Sequence, residues 1–193
     1  MTQTQTSQMK AEELLILIQR NQHNHDEIYH KEIARLPVSE RLQHMALHIS
    51  KYFSQFVEES QGRYSCDKEW KDSFIISTSI CNILNTKISD LWGLTDKDVM
   101  ASDLRDYIKS YISNDMGESS ELCMLSDINY ELSNACEKID HLEDYAYRPN
   151  ISWAASRLAA YSAEKVMKKG DLYDEITSRL METKRKNIMH VER

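Results

Sequence analysis

The sequence predicts an all-α fold, a bundle of six or seven helices built on two long helical hairpins. Only four glycines and two prolines occur in 193 residues, too few turn-formers to reverse the strands of a sheet protein this size. Those six breakers, Pro37, Gly62, Gly93, Gly117, Pro149 and Gly170, stand at helix-length intervals. Between them, apolar residues recur at three- and four-residue spacing, the signature of one buried helical face.

Composition bounds the rest. A hydrophobic share of 41% with 28% charged residues is that of a globular chain, here one domain over residues 9–193 after a flexible polar stretch, 1–8. The net charge of −7 weighs against nucleic acid as a partner, because that affinity comes from Lys and Arg neutralising phosphates. Lys184-Arg185-Lys186 reads as a helix end that compensates the dipole. No run approaches the ~18 apolar residues of a membrane span, and MTQTQTSQMK lacks a signal peptide's apolar centre, so a cytoplasmic protein without a membrane partner is expected. The four cysteines show no CxxC pair and read as buried free thiols.

AEELLILIQ predicts a short helix from Lys10 to about Gln19. NQHNHDE, with His30 beyond it, holds three histidines in eight residues and looks like a metal tract, but Asn and Gln dominate and it reads as a solvated connector, in which His25-Asp26 resembles an HD signature only as a dipeptide. Leu36-Pro37-Val38-Ser39 signals a helix start with Ser39 as the cap. The helix to about residue 59 then aligns Leu42, Met45, Ala46, Ile49, Tyr52, Phe53 and Phe56. A central helix, about 67–90, is apolar nearly all round and broken only by small polar residues. Thr95-Asp96-Lys97-Asp98 reads as a capping box opening a helix to about Ser113. A loop at Gly117 leads to a helix from about Glu121 or Ser126 to Tyr145. Asn150 is read as the cap of a helix ending at Lys169-Gly170, and a last helix covers about 171–188. The hairpins are 39–90 and 121–168.

Three constellations carry candidate chemistry. Glu69 and Asp72, three apart on a helix, present two carboxylates to one hard cation such as Mg²⁺, and Asp72 shares the face of Ile76 and Ile80. A carboxylate there needs a partner or a metal. On the preceding helix, His44, His48 and Lys51 occupy i, i+4 and i+7, a spacing suited to a metal or to phosphate oxygens. The third is Glu137, Asp140, His141 and Asp144, three carboxylates and an imidazole in two turns, with Glu143 turned toward the apolar stripe and in need of a partner such as Arg157 or a metal. Each of the three also reads as a solvated polar face.

RLQHMALHISKYFSQF, a loop, EWKDSFIISTSICNIL and then KISDLW resemble the MazG-like all-α nucleoside triphosphate pyrophosphohydrolases. Glu69-Trp70-Lys71-Asp72 matches that family's ExxD motif. Where its ExxE motif would fall, one helix earlier, this chain has His48-Ile49-Ser50-Lys51. The resemblance implies Mg²⁺-dependent hydrolysis of a nucleoside triphosphate to monophosphate and pyrophosphate, and a homodimer. Glu69 and Asp72 would then be catalytic, and both would bind metal with Glu137, Asp140, His141 and Asp144. His44, His48 and Lys51 would contact substrate. The alternative is a non-catalytic helical module that binds a protein partner or self-associates.

Overall fold

The computed structural model describes residues 8–116 and 120–191. Among them are nine helices and no extended strand: α1 (Ala11–Tyr29), α2 (Lys31–Ala34), α3 (Val38–Ser60), α4 (Asp67–Ile83), α5 (Ile88–Leu91), α6 (Leu104–Met116), α7 (Glu121–Asp140), α8 (Tyr147–Met167) and α9 (Leu172–Val191). Seven of these run thirteen residues or more, in line with the predicted bundle. The flexible stretch expected at 1–8 falls, except for Gln8, outside the described residues, as does the loop at Gly117. No helix among the described residues is long and apolar enough to cross a membrane.

The two predicted hairpins, α3–α4 and α7–α8, lie against each other, α4 on α8 and α3 on α7. Small residues bring α4 and α8 together: Ser73, Ser77 and Thr78 on one and Ala155, Ala159 and Ala163 on the other are fully buried. Ser77 and Thr78 donate their hydroxyls back to the carbonyls of Ser73 and Phe74, at 2.8 Å each, so the polar groups cost little inside. At the far end of the hairpin Phe56 stacks on Trp70, centroids 3.9 Å apart. α1 and α9 pack on each other and over α4, and α6 packs on α8. One continuous core draws on all seven long helices.

Helix ends account for most departures from the predicted elements. α4 stops at Ile83 rather than running to 90, because Asn85 adopts φ 50° and the Thr86 amide donates back to the Cys81 carbonyl at 2.9 Å. α7 stops at Asp140 rather than Tyr145: Leu142 adopts φ 56° and the Glu143 amide donates to the Lys138 carbonyl at 3.0 Å. Both are left-handed helix caps that satisfy the last carbonyls without glycine. α8 starts at Tyr147, three residues before the predicted cap, with Pro149 in its first turn, where the missing N–H has no helical partner anyway. Asn150 therefore does not cap; its amide donates to Glu131 at 2.9 Å.

Thr95–Asp98 opens no helix. Thr95 donates to Asp90 and Asp96 takes φ 64°. The chain then forms an antiparallel bridge, Lys10 to Met100, that ties the start of α1 to this segment. α3 begins at Val38 directly after Pro37, with no side-chain cap from Ser39. The largest departure is α1. It continues ten residues past Gln19 through the predicted connector to Tyr29.

Candidate functional site

The extension of α1 builds the site. Its inward stripe begins with Leu14, Leu15 and Ile18 and continues, at the same three- and four-residue steps, as Gln22, His25 and Asp26. Gln22 and His25 are buried. Polar side chains so placed cannot be a solvated connector, and the helix persists because tertiary contacts with α4 and α9 hold it.

These residues line an open-mouthed cavity of about 210 Å³ bordered by α1, α2, α3, α4 and α9. Around it stand four histidines (His25, His30, His44, His48), two carboxylates (Asp26, Asp72) and two arginines (Arg41, Arg179), with Tyr52 and Ser79. Asp26 is held on both oxygens, by Gln22 and by Ser79, each at 2.8 Å. Asp72 is gripped by Arg179, whose Nε donates to Oδ1 at 2.6 Å and whose Nη2 donates to Oδ2 at 3.0 Å. Both side chains of that pair are nearly buried, 14% and 10% exposed, and the third guanidinium nitrogen donates to Glu182 at 2.7 Å. The partner that Asp72 requires on an apolar face is therefore an arginine from the last helix. Tyr52 donates to Asp72 at 3.4 Å, and burial, then the Asp72 charge, push its phenol well above the ordinary tyrosine value.

Burial, followed by His44 and Lys51, pushes the His48 imidazole below its ordinary value near 6.5, and burial does the same to His30. Arg41 Nε, His48 Nδ1 and His25 Nδ1 are buried with no hydrogen-bond partner.

Of the residues singled out in the sequence, His44, His48 and Asp72 meet in this cavity. The others do not. Glu69 is 5% exposed, accepts from Tyr64 at 3.3 Å and does not line the cavity. Lys51 is exposed and lies over the Tyr52 ring, 4.7 Å from its centroid. Glu137, Asp140, His141 and Asp144 are exposed, and none lines the cavity. Asp140 accepts from Gln43 at 3.3 Å, near the start of α3. His141 and Asp144 lie past the end of α7, so the supposed shared face breaks at Leu142. Glu143 takes Lys138 as its partner, at 2.8 Å, rather than Arg157.

The carboxylates that the family likeness would assign to Mg²⁺ thus do not converge, and Asp72, the one at the cavity, already has both oxygens engaged by Arg179. Mg²⁺ wants several oxygen ligands around one point, and this set does not fit it. Three of the four cysteines are buried; desolvation raises Cys66 and Cys81 to about 12 and Cys136 to about 11, so they serve as packing. Cys123 is exposed, against the expectation of four buried thiols.

The sequence reading set His25, Asp26 and His30 aside as a connector and missed Arg41 and Arg179. The first three carried a signal, the unbroken helical step from Ile18 to Gln22 to Asp26 to His30. Arg179 lies 107 residues from Asp72, and no local pattern links them. No protein-family model matches the chain, and no curated protein or solved structure is detectably similar to it.

Proposed function

We propose that the cavity between α1, α3, α4 and α9 binds and hydrolyses a phosphate-bearing small molecule of the nucleotide class. One observation carries this reading: Arg41 Nε and His48 Nδ1, both buried without a hydrogen-bond partner, belong to residues that line one cavity beside Asp72. A buried guanidinium nitrogen left unpaired is costly unless an anion completes it. Arg41, His44 and His48 take phosphate oxygens. Asp72 Oδ1, which accepts from Arg179 Nε alone, keeps one lone pair and orients the attacking water, while Oδ2 accepts from both Arg179 and Tyr52. The volume of about 210 Å³ suits the phosphoryl end of a nucleotide rather than the whole molecule, since pockets that enclose drug-sized ligands begin near ~300 Å³.

The test is release of pyrophosphate or phosphate from a panel of nucleoside triphosphates, with Mg²⁺ or Mn²⁺ supplied. Turnover should fall about 100-fold or more in Arg41→Ala, the scale for removing one preorganised charge donor, and should survive in Glu69→Gln. Absence of release from every triphosphate at high protein concentration overturns the reading.

A further inference from the structure

The histidines and carboxylate contributed by α1 are not used by the hydrolytic reading, and they have a geometry of their own. One donor atom from each of His25, Asp26 and His30 lies within 4.8 Å of the other two. His25 and Asp26 are adjacent, and His30 is one turn beyond Asp26. As the residue that ends α1, His30 leaves helical geometry (φ −130°, ψ 40°), and its ring comes to 5.5 Å from that of His25.

The surroundings of His25 are more telling. Its Nε2 sits 3.2 Å from the backbone carbonyl of Leu180 on α9, and a carbonyl can only accept, so Nε2 carries a proton. In the neutral ring that leaves the lone pair on Nδ1. This atom is buried, has no hydrogen-bond partner, and stands 4.0 Å from Asp26 Oδ1. A lone pair and a carboxylate oxygen directed into one small space repel unless a cation lies between them. Asp26 is meanwhile oriented by Gln22 and Ser79. A histidine fixed through its far nitrogen by a backbone carbonyl, beside a carboxylate fixed by hydrogen-bond donors, is the outer-shell arrangement of metal ligands.

We propose that His25, Asp26 and His30 bind one divalent transition-metal ion of the zinc class, with its remaining coordination positions open to the cavity. Two imidazoles and one carboxylate favour such ions over Mg²⁺ or Ca²⁺. Ligands held ~2.1 Å from one ion stand roughly 3–3.5 Å apart, so closing the site moves the donors inward by about 1 Å. The His30 side chain, at the end of α1, supplies that movement.

This inference stands on its own geometry and does not require the hydrolytic reading. The experiment is calorimetric titration of metal-stripped protein with Zn²⁺, with Co²⁺ absorption as a second probe and the unfolding midpoint recorded with and without metal. The wild type should bind one equivalent of Zn²⁺ and unfold at higher temperature with it. Asp26→Asn and His30→Gln should each weaken binding at least tenfold while keeping the helical circular-dichroism signal. His23→Ala, an exposed histidine on the same helix, should bind as the wild type does. His30→Gln guards against loss of fold in variants of the buried His25. No stoichiometric Zn²⁺ or Co²⁺ binding, or binding unchanged in both Asp26→Asn and His30→Gln, overturns the site. Zinc bound through these residues without triphosphate hydrolysis removes only the hydrolytic reading, and hydrolysis by protein that binds no zinc removes only this one.

Discussion

Arg179 and Asp72 are the pair on which the cavity wall depends. Three of the guanidinium nitrogens are committed to carboxylates, two to Asp72 and one to Glu182, in a site where neither Arg179 nor Asp72 is more than 14% exposed. Removing one member of such a pair strands the other charge in a poorly solvated place, which costs more than the pair contributes. Arg179→Met should therefore destabilise the fold by about 3 kcal/mol, a fall of roughly 6–12 °C in Tm for a chain this long. The double variant with Asp72→Asn should recover part of that loss, because the stranded charge is gone. Urea or thermal unfolding of the single and double variants checks both statements. Equal melting of Arg179→Met and wild type would mean that the ion pair is solvent-screened and structurally idle.

At the scale of the element, four helices end in left-handed caps, at Gly62, Asn85, Gly93 and Leu142. The two glycine caps were legible in the sequence, and the ends of α3 and the α5 turn fall where those glycines stand. Asn85 carried a weaker form of the same signal, since asparagine follows glycine in readiness for this conformation, whereas Leu142 carried none. Leucine in this conformation is disfavoured by roughly 1–2 kcal/mol through Cβ–carbonyl crowding. Leu142 is also 91% exposed, so its side chain buries almost nothing. Leu142→Gly should accordingly stabilise the protein by about 1 kcal/mol despite glycine's larger unfolded-state entropy, seen as a Tm higher by roughly 2–4 °C. A lower Tm would show that the cap draws on contacts of the leucine side chain. The site was partly legible for a related reason. His44 and His48 sit on a helix with a marked apolar stripe, and Asp72 aligns with Ile76 and Ile80 on its own helix, so their positions could be read. The polar stripe of α1 breaks the equation of inward with apolar, and its buried residues read as a connector.

For the whole molecule, the two hairpins form a close-packed core, while α1 and α9 close over α4 with the polar cavity along the seam. That seam holds one buried and three half-buried histidines where the core buries alanine and leucine, so acid should loosen the molecule there first. His48 makes the sign explicit. Burial, with His44 and Lys51 nearby, lowers its pKa in the folded state below the ordinary 6.5, outweighing the opposing pull of Asp72. The unfolded chain therefore takes up a proton at a higher pH than the folded one. Stability is complete above about 6.5, the ordinary value for an unfolded histidine, and is lost as the pH falls below it toward the folded-state value. In metal-stripped protein the unfolding midpoint should decline between pH 7.5 and 5, and His48→Gln, which cannot titrate, should flatten part of that slope. Hydrogen exchange supplies the spatial half of the test. On acidification, amides in the second half of α1 and in α9 should lose protection before those of α4 and α8, which pack on each other and bury Ser73, Ser77 and the alanines of α8. Simultaneous loss across all four helices would instead make the molecule one cooperative unit, with the cavity seam no weaker than the core it covers.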